Sequence, residues 1–343
     1  MRRHDNTLYV TTQGAYLSKE GTNVLVRVEK ETRLALPIHT IGGIVCFGNV
    51  SCSPFLLGMC GSEGVTVSFL NRNGRFLARV EGPQSGNVLL RRAQHRATVE
   101  EPRAAKVAAA VVSAKVANSR IALQRAIRDH GDKMDIGWVN WSVRRLRRVL
   151  ALVSRARIID DIRAYEADAA KAYFRTFNKL LVIEDDAFRF KGRTRRPPLD
   201  RVNAMLSFVY ALLAHDVRSA CESVGLDPQM GFLHADRPGR PSLALDLMEE
   251  LRPVIADRLV LSLINRRQVA PGGFDIQETG AVEMDERTRK TVLVEYQKRK
   301  ESEITHPFLE ERITMGILPH VQARLLTRYL RGDLAEYPAF FWK

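Results

Sequence analysis

The sequence predicts an α+β protein: a small N-terminal β-sandwich or split-sheet domain over residues 1–82, then a larger all-α domain over 88–343. Three observations carry that expectation. The first eighty residues are short β-branched runs cut by turn chemistry. The run GPQSGN, supplying the linker at 83–87, is Gly/Pro/Ser-rich. Beyond it, alanine and charge recur at helical spacing.

The strands are expected in order. TLYVTT, AYLSK, NVLVRVEK and TRLALPI are separated by Gln13-Gly14 and Glu20-Gly21; GGIVCFGN, VTVSFLN and RFLARVEG follow, the last two joined by the hairpin turn Asn71-Arg72-Asn73-Gly74. Between them SPFLLGMCGSEG is a helix, because Ser53 caps and Pro54 fits the first turn. The helices begin with EPRAAKVAAAVVSAKVANSRIALQRAIRDHG, ending at Gly131. VNWSVRRLRRVLALVSRAR, IIDDIRAYEADAAKAYFRTFNKLL and RVNAMLSFVYALLAHDVRSACESVG continue the series. SLALDLMEELRPVIADRLVLSLINRRQ, RKTVLVEYQKRKE and ERITMGILPHVQARLLTRYLRG complete it. EMDER and QKRKESE are expected to be solvated helix faces, and YPAFFWK an aromatic tail that docks on its own domain or on a partner.

Fifty-three Lys/Arg against 39 Asp/Glu give a net charge of +14, which favours a polyanionic partner. Sixteen Lys/Arg and six Asp/Glu lie between Val88 and Asp160, so +10 of that excess is concentrated there. Arg144, Arg145, Arg147 and Arg148 ring one helix, and Arg193, Arg195 and Arg196 lie in the loop KGRTRRPPLD. Both clusters are candidates to hold DNA backbone. No apolar run reaches the roughly 20 residues of a membrane helix, and MRRHDNTLYV lacks a signal core, so a cytoplasmic protein is expected. Cys46, Cys52, Cys60 and Cys221 lack paired spacing and are expected to be reduced thiols. No Walker or Rossmann glycine loop argues for ATP or dinucleotide use, and GRPSL is not a nucleophile elbow.

One stretch carries chemistry. In GLDPQMGFLHADRPGRPSLALDLMEELRP, Gly225 ends one helix and Ser242 is expected to cap the next, leaving His234 in a Gly/Pro-rich loop. Asp246, Glu249 and Glu250 fall three or four residues apart on the following helix. Imidazole with carboxylates suits Mn2+ or Mg2+, and the same residues also fit a solvated acidic helix beside a surface histidine. Glu166, in IRAYEADAAKAYF, offers a further carboxylate beside the small residues Ala167, Ala169 and Ala170. Arg163, one turn earlier, is placed to pair with it and make it structural.

Read together, four segments resemble the CRISPR-associated spacer-acquisition integrases, the first Cas protein (Cas-one). They are the N-terminal β region, IRAYEADAAKAYF, RVNAMLSFVYALL and the long histidine segment. The short C-terminal ending and the Arg/Pro loop look similar to type I-C members. The resemblance implies a metal-dependent DNA endonuclease and integrase joining 3′-hydroxyl ends of short DNA fragments into a CRISPR array. It implies Glu166, His234 and Glu249 as ligands of Mn2+ or Mg2+, with Asp246 behind them or toward substrate. It further implies double-stranded DNA (prespacer and repeat) as substrate, a homodimer formed through the β domain, and a small second adaptation protein (Cas-two) as partner. Two departures stand out: Ala167 where the family often has glycine, and Glu249 where the final ligand is often aspartate. They leave an alternative, a catalytically impaired DNA-binding adaptation subunit.

Overall fold

The computed structural model describes residues 6–72, 76–80, 82, 88–183 and 185–343, with only the backbone of Lys133. The linker 83–87 and the tip of the hairpin turn at Asn73-Gly74 lie outside the described residues.

Two four-stranded sheets build the first unit. In one, β1 (Thr7–Val10), β5 (Gly43–Phe47) and β7 (Thr66–Leu70) run parallel, and β8 (Phe76–Val80) is antiparallel to β7. In the other, β4 (Glu31–Pro37), β3 (Asn23–Val28) and β2 (Tyr16–Glu20) form an antiparallel meander, with β6 (Ser51–Cys52) parallel to β2. Leu17, Val24 and Val26 of the meander share one core with Ile44, Cys46 and Val67 of the mixed sheet. Strand alternation sends every second side chain inward, which is why those positions repeat by two. Helix α1 (Pro54–Glu63) adds Leu56 and Cys60 to that core, and Ser53 Oγ accepts from Leu56 N–H at 3.2 Å as the sequence predicts. All four cysteines are free thiols.

The second unit is mostly helical. It contains α2 (Val88–Val99), α3 (Glu101–His130), α4 (Ile136–Val153), α5 (Ile159–Thr176), α6 (Arg201–Ser223), α7 (Ser242–Leu251) and α8 (Arg258–Asn265). Helix α2 has no counterpart in the sequence reading, and a short ribbon of β9 (Phe274–Ile276) and β10 (Val282–Met284) interrupts the helices. Part of EMDER therefore lies in a strand. The single helix expected from Ser242 to Gln268 is broken by a π-helical turn at Arg252–Asp257, where Pro253 lacks the N–H that an α-helix would use.

The units divide differently from the expected boundary. Among the described residues, Arg289–Glu303 and Thr314–Ile317 group with the β unit. Helix α9 (Glu286–Glu301) supplies most of that return, burying Val292, Leu293 and Tyr296. Lys300, in the run expected to be solvated, is buried and hydrogen-bonds Thr7 Oγ1 at 3.2 Å. Its burial follows from a long-range contact that local charge patterning does not encode.

Candidate active site

The loop carrying His234 is held from several directions. Gly225 closes α6 in the left-handed region at φ 84°, where an L side chain would be strained. Gln94 of α2 is fully buried; its amide donates to the carbonyls of Asp227 and Met230 at 2.8 and 2.9 Å and accepts from Asp227 N–H at 2.9 Å. Gly231 admits close packing, since a Cβ there would lie 2.7 Å from Ser242 Cβ and 2.9 Å from Asp246 Oδ2. Ser242 is not the expected cap. Its Oγ donates back to Ala235 carbonyl at 3.2 Å, while the carbonyl of Pro228 receives the first N–H groups of α7.

The three acids of α7 take three separate jobs. Asp246, 1% exposed, accepts the backbone N–H groups of Phe232, Leu233 and His234 at 2.6, 2.9 and 3.0 Å. Its Oδ1 also lies 2.6 Å from His234 Nδ1. That contact makes Nδ1 the protonated ring nitrogen and leaves the Nε2 lone pair free. Glu249 points its Oε1 toward Nε2 at 3.9 Å. Glu250 faces away and binds Tyr337 hydroxyl, Phe340 N–H and, at 3.0 Å, Gln322. The aromatic tail thus docks on its own unit, with Tyr337, Phe340 and Trp342 buried.

Glu166 enters from α5. Its partner is not Arg163, which donates to Asp160 at 2.8 Å and to Leu233 carbonyl at 2.7 Å. Instead the ammonium of Lys115, from α3, hydrogen-bonds Glu166 and stands 2.7 Å from Glu249 Oε2. Arg252, at the start of the π-helical turn, pairs with the other oxygen of Glu249. Burial opposes the charged form of Lys115, but Glu249 and Glu166 outweigh it and raise its pKa. Burial likewise opposes the charge on Glu249, yet Arg252, Lys115 and His234 hold its carboxyl below the ordinary range. Sequence reasoning missed Lys115: it lies in an alanine-rich helix some fifty residues from Glu166, with no local signal. Ala167, by contrast, is exposed, so the missing glycine there costs no packing.

Behind this cluster, α6 presents Asn203, Ser207 and Tyr210 on one face. Arg193 turns inward onto them, donating to Asn203 Oδ1 at 2.8 Å and Ser207 Oγ at 3.2 Å and covering the Tyr210 ring at 5.2 Å. Arg252 lies over the same ring at 5.1 Å. Tyr210 hydroxyl donates to Asp257 at 2.6 Å. Burial pushes the Asp257 carboxyl up to about 6, against the pull of Tyr210, Tyr173, Arg252 and Arg193.

Unlike Arg193, the arginines Arg144, Arg145, Arg147, Arg148, Arg195 and Arg196 are exposed, with Arg145 paired to Asp168 at 2.8 Å. A cleft of about 770 Å³ along α5 is lined by Lys171, Arg175, Arg189, Lys191, Arg193 and Arg195 over Phe174 and Phe190, with no carboxylate in its wall among the described residues.

The donors fit a divalent cation in type: an imidazole nitrogen with its tautomer set, and two carboxylates already sharing a positive group. Glu249 Oε2 is buried and faces the Lys115 ammonium. Among the described residues, however, no three such side chains close on a common point, since Lys115 stands between Glu166 and Glu249.

Comparison with known proteins agrees with this architecture. The family model described as CRISPR associated protein Cas1 matches residues 8–298. CRISPR-associated endonuclease Cas1 1 of Chlorobaculum tepidum is 53% identical over 343 residues, covering 100% of both chains. CRISPR-associated endonuclease Cas1 2 of Rhodospirillum rubrum is 50% identical over 347 residues, also with 100% coverage of both. A Cas1 protein from Thermotoga maritima shares the fold at TM-score 0.81 and 22% identity, over 97% of this chain and 98% of that one. A casposase bound to integration product does so at 0.83 and 22%, over 98% and 94%.

Proposed function

Because this chain belongs to the Cas1 family of CRISPR-associated proteins, we propose that it is a metal-dependent DNA endonuclease and integrase of CRISPR adaptation. Its substrates are a short double-stranded DNA fragment and the repeat of a CRISPR array; its partners are a second copy of itself and a Cas2-type protein. The type I-C form belongs to the same reading.

The observation that supports it best is the arrangement around Glu249. Asp246 locks the His234 ring so that Nε2 faces a carboxylate, and a second carboxylate, Glu166, shares a cationic partner with the first. Glu166, His234 and Glu249 would hold Mn2+ or Mg2+. When bound, such an ion polarises the scissile phosphate and offsets the charge that gathers on its non-bridging oxygens. The chain's own groups do the rest. Asp246 fixes the imidazole, and its three backbone bonds keep the loop from drifting. The Arg252 contact orients Glu249. Arg144, Arg147, Arg148, Arg195 and Arg196 hold duplex backbone.

The alternative, a DNA-binding subunit without cleavage, is favoured by Lys115 standing between the two acids. Glu166→Gln and His234→Ala separate the two. In the enzyme each abolishes Mn2+-dependent strand transfer while DNA binding persists. Wild-type protein that binds DNA but joins no 3′ ends with Mn2+ or Mg2+ would establish the alternative.

A further inference from the structure

Glu166 and Glu249 bring two negative charges to the buried cluster, and Lys115 and Arg252 bring two positive ones. Asp246 adds a third negative charge on the far side of His234, its oxygens engaged by backbone N–H groups and Nδ1. Adding a divalent cation to the same four groups would leave an excess of positive charge where the side chains are largely shielded from water. Release of one resident cation would relieve that excess.

The two are not equally free to move. Arg252 holds Glu249 through a planar guanidinium, lies over Tyr210 and is anchored on the π-helical turn. Lys115 is exposed to the same small degree, 12% of its side chain, but reaches the acids on a flexible four-carbon stem. Its ammonium bridges the two acids, hydrogen-bonding Glu166 and standing 2.7 Å from the buried Glu249 Oε2. A carboxylate oxygen carries a second lone pair, so both acids keep acceptor capacity beyond the ammonium.

We propose that Lys115 is a built-in counter-ion that draws Glu166 and Glu249 together and is displaced by the incoming divalent cation, so that it sets the metal affinity of the site. This rests on the metal-site reading above. Without the ammonium the two acids repel, which costs stability until a metal replaces it; with the ammonium, the metal has to compete for the same oxygens.

The test uses the full-length protein, stripped with EDTA, as wild type, Lys115→Met and Lys115→Gln. Mn2+ binding is measured by calorimetry and unfolding by thermal melts with and without Mn2+. Both variants are expected to bind Mn2+ about tenfold or more tightly than wild type. They should melt lower when stripped and gain more from Mn2+ than wild type does. A Lys115→Met chain that folds only with Mn2+ would support the same conclusion. Unchanged or weaker Mn2+ binding by both variants, with wild type binding normally, overturns this inference alone. Wild type that takes up no Mn2+ overturns the metal-site reading, and the inference with it.

Discussion

Glu249 and Glu250 are neighbours on α7 with 2% and 0% exposure, yet the helix turns them toward different surroundings. Glu249 meets the cationic groups of Arg252 and Lys115, which more than offset its burial and keep it ionised. Glu250 meets only neutral donors, from Phe340, Tyr337 and Gln322, and burial carries its carboxyl up to about 7. Between these two equally buried acids, the charge of the partners decides which stays ionised. One glutamate joins the cationic cluster, and the other pins the C-terminal tail.

The largest effect that could break this contrast is on rate. Glu249→Gln is expected to lower Mn2+-dependent strand transfer by about a thousandfold, in line with losing a group that supports transition-state charge. Duplex binding in a gel-shift assay should stay within a few-fold of wild type. A variant that retains most of its rate would remove Glu249 from the site.

Glu250→Ala should act on stability instead. It strands three buried donors, so a loss of about 3 kcal/mol in urea unfolding is expected, with strand transfer per folded molecule close to wild type. A matched fall in rate with unchanged stability would show that the two acids are not separate.

Asp257 sharpens the point about charge. Its folded pKa of about 6 lies above its ordinary 3.8, so the native state holds the proton more tightly than the unfolded chain. That contribution is fully present below about pH 4 and is lost as pH rises to about 6. Wild type measured against Asp257→Asn should therefore lose up to about 3 kcal/mol of relative stability across that window. A flat difference would mean that burial does not dominate there.

The smallest effect belongs to the surface. Arg148→Ala should weaken DNA binding a few-fold and reduce the salt slope by about one, because an exposed arginine contributes chiefly through counterion release. No change in slope would take Arg148 off the DNA path.

The sequence by itself determined the periodicities: strands before residue 82, most of the helices from Glu101 onward, the turn chemistry of Ser53-Pro54 and Gly225, and the segment carrying His234, Asp246 and Glu249. Each of these is set by neighbours a few residues apart, through side-chain alternation, helical spacing and backbone strain. It did not disclose α2, whose Gln94 secures the histidine loop, nor the return of Arg289–Glu303 to the β unit. It left Asp246, Glu249 and Glu250 on one nominal face; only packing assigned the first to His234, the second to the cationic cluster and the third to the tail. Lys115 is the sharpest case. A lysine in an alanine-rich helix reads as a surface charge, and only its meeting with Glu166 and Glu249 across the fold makes it a buried counter-ion, since Coulomb energy depends on distance in space and not along the chain.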